Sequence, residues 1–134
     1  MGRGVYCLGS LLSFSLLVLF LPSAAALEMD EVKISEIMYN PAGSDNNQEF
    51  VELVMNIPLN LTDWRIADST SEDMLTPLLL RDSVYAIIVE EGYNYSGINS
   101  SVYSVGATIG NNLGNDTESL QIINPEGAVM ALVS

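Results

Sequence analysis

Asp45, Asn46, Asn47 and Glu49 place four oxygen-bearing side chains in a short stretch after Gly43. Calcium takes oxygen ligands from such loops. Asp45, Asn47 and Glu49 are therefore candidate Ca2+ ligands, and calcium is the one cofactor the sequence brings forward. The spacing does not match the EF-hand pattern, and Asx-rich turns also form without metal. Asn111–Asp116 is a second polar loop of the same kind. Glu36, Glu49 and Glu52 are carboxylates on or beside strand-like segments. A carboxylate pair serves glycoside hydrolysis only with a cleft and a defined separation. Nothing in the sequence supplies either, so these side chains read as strand-end or solvent-facing charges, or as partners for Lys33 and Arg65. Tyr93, Tyr95 and Tyr103 interleave with Asn, Ser and Gly. That composition suits adaptable recognition loops, and the three tyrosines form the candidate binding loop.

The reactive groups the chain lacks narrow its chemistry further. There is no histidine, and Cys7 is the one cysteine. Beyond Cys7, thiol and imidazole nucleophiles and ordinary zinc ligands are absent. Four sequons begin at Asn60, Asn94, Asn99 and Asn115. In an exported chain they mark acceptor sites for N-glycans. Asn94 and Asn99 are the better placed, in a segment that reads as exposed loop.

The N-terminus reads as a targeting segment. Arg3 gives a positive start, Leu11–Leu21 is an apolar run broken by Ser13 and Ser15, and Pro22-Ser23 leads to Ala24-Ala25-Ala26. Small residues at Ala24 and Ala26 suit signal-peptidase cleavage before Leu27. The competing reading is an uncleaved anchor, since no charge occurs from Gly4 to Leu27. A spanning helix needs about 20 predominantly apolar residues, more than this dense stretch supplies. The expected organisation is a helical signal peptide over residues 1–26 and one domain over residues 27–134, with no membrane span after cleavage. Cys7 would leave with the signal, so no disulfide would support the domain.

Charge sets the other bound. Seventeen acidic residues against four basic ones give a net charge of −13 in 134 residues. Such a surface repels nucleic acid and anionic lipid, whose binding depends on neutralising cations.

The segments that would position these residues alternate as strands do. Val32–Tyr39 begins with Val32 and Ile34 on one face, then shifts its apolar parity to Ile37 and Tyr39. That shift predicts a bulge or a strand covered on both faces. Glu49–Asn56 puts Val51, Leu53 and Met55 on one side, and the two segments form a hairpin closed by residues 40–48. Leu59–Asp68 alternates again and inserts Trp64 and Ile66 into the core. Met74–Leu80 and Val84–Val89 read as two more strands. Glu90–Gly106 reads as mostly loop. Ser119–Asn124 and Ala128–Val133 form a last hairpin around Asn124-Pro125-Glu126-Gly127, a type I turn sequence. Short strands at this spacing predict an all-β sandwich or barrel.

Ser35–Pro41 (SEIMYNP), an acidic-polar loop and Glu49–Leu53 (EFVEL) resemble the opening of a lamin-tail domain. Leu61, Trp64–Asp68, Asn112–Asp116, Ser119–Ile122 and the Pro125–Gly127 turn resemble the rest of that family's pattern, over about Val32 to Met130. The resemblance implies an immunoglobulin-like β-sandwich with no catalytic residues of its own. Exported members usually serve as accessory domains on surface or secreted proteins, some joined to hydrolases or nucleases. Asp63 stands where the family usually has Gly, and the chain stops at Ser134 where the family pattern tends to continue, so the domain is expected to be C-terminally incomplete or part of a longer protein. The expected function is an exported, non-catalytic binding or scaffold module at the cell surface or in the medium. Its expected partner is a protein or glycan of the cell envelope. The alternative is an accessory or truncated part of an exported hydrolase or nuclease whose catalytic domain lies elsewhere.

Overall fold

The computed structural model describes residues 1, 31–39, 41, 47–113 and 119–134. The segment expected to be a signal peptide, with Ala24 and Ala26, lies outside the described residues, as do Asp45 and Asn115. The described residues form nine strands, and among them there is no helix long and apolar enough to cross a membrane.

β1 (Val32–Met38) and β2 (Phe50–Met55) pair antiparallel, as the alternation predicts. Val32 and Ile34 face Met55 and Leu53; the register then shifts so that Glu36 faces Glu52 and Ile37 faces Val51. Ser35 is the extra residue of this bulge. It lets Val32, Ile34 and Ile37 share the core side despite their changed parity. The Ser35 hydroxyl occupies the kink, lying 2.7 Å from Glu52 Oε1 and 3.2 Å from the Glu52 carbonyl oxygen.

The expected strand at 59–68 is shorter than its alternation implies. Trp64 N–H donates to the Leu61 carbonyl at 3.1 Å, making a turn, and only β3 (Arg65–Ala67) is extended. Leu61, Trp64 and Ile66 are still buried. Asp63 adopts φ 66°, the left-handed conformation that glycine accepts most readily. The segment expected as one strand at 74–80 is divided between two sheets. β4 (Glu72–Met74) pairs with β3, and β5 (Thr76–Leu79) pairs with β7 (Ser101–Ser104). Buried Leu75 lies at the crossing point.

β6 (Tyr85–Val89) is apolar on both faces and is buried from Ala86 onward. The segment 90–106 is mostly loop, as expected, but it also contains β7, which the sequence reading did not separate out and which runs parallel to β6. A parallel pair requires a crossover. Residues 90–100 supply it, and Tyr93, Tyr95 and Ile98 pack with the buried Ile87, Val89 and Val102. β8 (Leu120–Ile123) and β9 (Val129–Val133) close the chain as the predicted hairpin. Gly127 has φ 87° and donates to the Asn124 carbonyl at 2.9 Å.

The strand order is β1-β2-β6-β7-β5 in one sheet and β4-β3-β8-β9 in the other. Their inner faces meet in a core that includes Val51, Leu53 and Ile88 from the first sheet and Ile66, Leu120 and Ile122 from the second. β9 lies against β1 on one side of this sandwich-like pair. On the other side, Leu75 carries the chain between sheets.

Candidate functional site

The crossover gives the five-stranded sheet a shaped outer surface. Phe50 and Tyr93 meet edge to face, with ring centroids 6.1 Å apart and planes at 77°. Two open hollows share these rings. One, of about 680 Å3, extends toward Met38, Pro41 and Asn94. The other, of about 370 Å3, is lined by Glu36, Glu52, Tyr85, Ile98 and Asn99 among others. Together they form one shallow cleft with aromatic walls.

Two carboxylates enter that cleft from neighbouring strands. Glu36 and Glu52 are register partners, so their like charges oppose each other directly. Glu52 lies within hydrogen-bond reach of Ser35, while Glu36 is solvent-exposed. Burial raises the pKa of the Tyr93 phenol, and the nearby Glu36 charge adds to the rise. The cleft therefore combines apolar ring faces, two opposed negative charges and the side-chain amides of Asn94 and Asn99. It can hold a cationic or amphipathic group.

The candidate binding tyrosines separate in the fold. Tyr93 lines the cleft and Tyr95 packs under the crossover. Tyr103 is corrected: it is fully buried in β7. Its hydroxyl accepts the Leu61 N–H at 2.8 Å and lies 3.4 Å from Asn60 Oδ1. Burial raises its pKa, partly opposed by the Leu61 hydrogen bond. Tyr103 thus ties β7 to the turn ahead of β3 and presents nothing to a ligand.

Of the candidate calcium ligands, Asn47 and Glu49 are described. Asn47 has φ 60° and is exposed, whereas Glu49 is 2% exposed. Glu90, which sequence reasoning did not single out, is 4% exposed. Phe50 pairs with Val89, so Glu49 and Glu90 occupy the next positions beyond the end of that ladder. Both have the parity of the core-facing side chains. Asn47 rests on the turn that follows Glu90: a Cβ at Gly92 would lie 3.1 Å from Asn47 Nδ2. Among the described residues, no group of three or more His, Cys, Asp or Glu side chains gathers around one point.

The described sequons differ in setting. Asn94 and Asn99 are exposed on the crossover at the cleft. Asn60 Oδ1 accepts from the Thr62 N–H at 3.0 Å and lies 2.6 Å from the Thr62 hydroxyl oxygen. Elsewhere, Asp68 holds a loop. Its Oδ1 accepts the Thr70 and Ser71 N–H groups, each at 2.6 Å, and its Oδ2 accepts the Asn111 N–H. Asp73 accepts the Gly110 N–H at 2.7 Å.

Sequence reasoning missed Phe50, Tyr85, Ile98 and Glu90. Ile98 carried a readable signal, as a lone large aliphatic side chain in a polar segment. The others depend on which strands become neighbours.

These features define a two-sheet, sandwich-like all-β domain with a crossover-built cleft on one outer face. Comparison with protein-family models, curated proteins and solved structures finds no match to this chain.

Proposed function

We propose that this protein is an exported, non-catalytic binding module of the lamin-tail kind, with an immunoglobulin-like sandwich. Its recognition surface is the Phe50–Tyr93 cleft, and its partner is an envelope protein presenting a lysine or arginine side chain. The observation that carries this reading is the register pairing of Glu36 with Glu52 beside the half-buried Phe50 and Tyr93 rings and the exposed Tyr85. Opposed like charges destabilise a sheet unless a counter-charge joins them. Aromatic faces add cation–π attraction for that same group.

Other features support the proposal. Residues 3–26 have the pattern of a cleavable signal. Asp63 takes a left-handed conformation at the position where lamin-tail domains usually carry glycine. The strong acidity of the chain favours a basic partner and speeds its approach.

The test is capture from the native cell envelope by the exported protein and by its Glu36→Lys variant. Glu36 is exposed and the variant replaces its repulsion from Glu52 with attraction, so it is expected to melt no lower than wild type. Capture of a partner whose binding weakens in Glu36→Lys and with rising salt supports the proposal. Undiminished capture by the variant, or recovery of a glycan indifferent to it, overturns it.

A further inference from the structure

We infer that Glu90 and Glu49, with Asn47 at the rim, form a binding site for a divalent cation of the calcium class. The site lies at the end of the sandwich, apart from the Glu36–Glu52 cleft.

The two carboxylates come from different strand ends. Glu49 leads into β2 and Glu90 follows β6, and the Phe50–Val89 pair brings them side by side. Both are more than nine-tenths buried, at 2% and 4% exposure. Glu90 Oε2 is shielded from solvent and has no hydrogen-bond partner among the described residues. An ionised carboxylate in that position is costly unless a compensating charge lies against it.

No described basic side chain supplies that charge. Lys33 pairs with Val54 at the opposite end of β2 and forms an ion pair with Glu31 at 2.6 Å. Arg65 lies in the other sheet and pairs with Glu72 at 2.7 Å. Arg81 precedes β6 and so belongs to its far end. Two carboxylates balance one divalent ion. Calcium accepts oxygen ligands in irregular geometry and fills its remaining positions with backbone carbonyls and water, whereas magnesium requires a near-ideal octahedron. The Asn47 amide, seated on Gly92, brings a further oxygen to this end and couples the β1–β2 and β6–β7 connections.

Calorimetric titration of the exported protein with CaCl2 near neutral pH tests the inference, together with thermal melts in calcium and in EDTA. The expected result is one calcium ion per chain, with Kd in the range of about 10⁻⁴–10⁻³ M found for extracellular modules, and a higher Tm in calcium than in EDTA. Glu90→Gln should weaken binding about tenfold or more and melt in EDTA no lower than wild type, because it removes a buried charge. Glu36→Gln should bind calcium as wild type does. Absence of calcium binding by folded wild-type protein overturns the inference, as does equal binding by Glu90→Gln or equal loss in Glu36→Gln. A Tm that is the same in calcium and in EDTA also overturns it.

Discussion

Single side chains hold loops to sheets in this protein, and two of them have measurable consequences. The buried Tyr103 hydroxyl accepts the Leu61 N–H. Tyr103→Phe keeps the ring and strands that donor, so chemical denaturation should show a loss of about 1–3 kcal/mol. Asp68 acts through charge. Partial burial favours its protonated form, but hydrogen bonds from Asn111, Thr70 and Ser71 outweigh burial and hold its pKa below 3.8. A folded-state pKa below the unfolded one contributes stability that is complete above the unfolded value and is lost as pH falls through the folded value. The Asp68 contribution should therefore disappear below about pH 4. Asp68→Asn should flatten that part of a Tm-against-pH profile. Gly110 belongs to the same clamp. It has φ 60°, and a Cβ there would collide with the Asp68 carboxylate. Gly110→Ala should destabilise by about 1–3 kcal/mol in equilibrium unfolding, the usual range for forced overpacking.

At the scale of elements, the bulge in β1 determines which side chains reach the core. Ser35 is the residue without its own partner in β2, and the pairs on either side of it keep regular inward and outward alternation. Deleting Ser35 should leave a regular β1–β2 ladder and a cooperative melt, lowered modestly by loss of the contact with Glu52. Deleting Glu52 instead places Val51 and Leu53 on opposite faces, and a one-residue slip exchanges core and solvent faces. That variant should show no cooperative melt by circular dichroism. The 90–100 crossover is the other decisive element. It covers Ile87 and Val102 on the outer face, which explains why β6 is apolar on both sides.

Across the whole molecule, the excess of carboxylates opposes compactness. With 17 acidic and 4 basic residues, the folded chain concentrates negative charge more than the unfolded chain does. Monovalent salt should therefore raise Tm from low ionic strength up to about 0.15 M, where the Debye length falls to about 8 Å. A Tm that falls with NaCl over that range would show that attractive pairs such as Arg65–Glu72 outweigh the repulsion.

The sequence by itself determined the all-β class, the β1–β2 and β8–β9 hairpins, the bulge near Ser35 and the burial of Trp64. Each of these follows from local alternation or turn chemistry. Only the tertiary structure decided the rest. The break at Leu75 sends one apolar run into two sheets, and β7 is a strand through its parallel pairing with β6, so neither was legible in its own segment. Tyr103 shares its polar neighbourhood with Tyr93 and Tyr95, yet strand pairing buries it while the crossover leaves Tyr93 at the cleft. Glu49 and Glu90 stand far apart in the chain and become neighbours because Phe50 pairs with Val89. Periodicity records which face a residue takes within its own strand; which strands lie beside it depends on long-range pairing across both sheets.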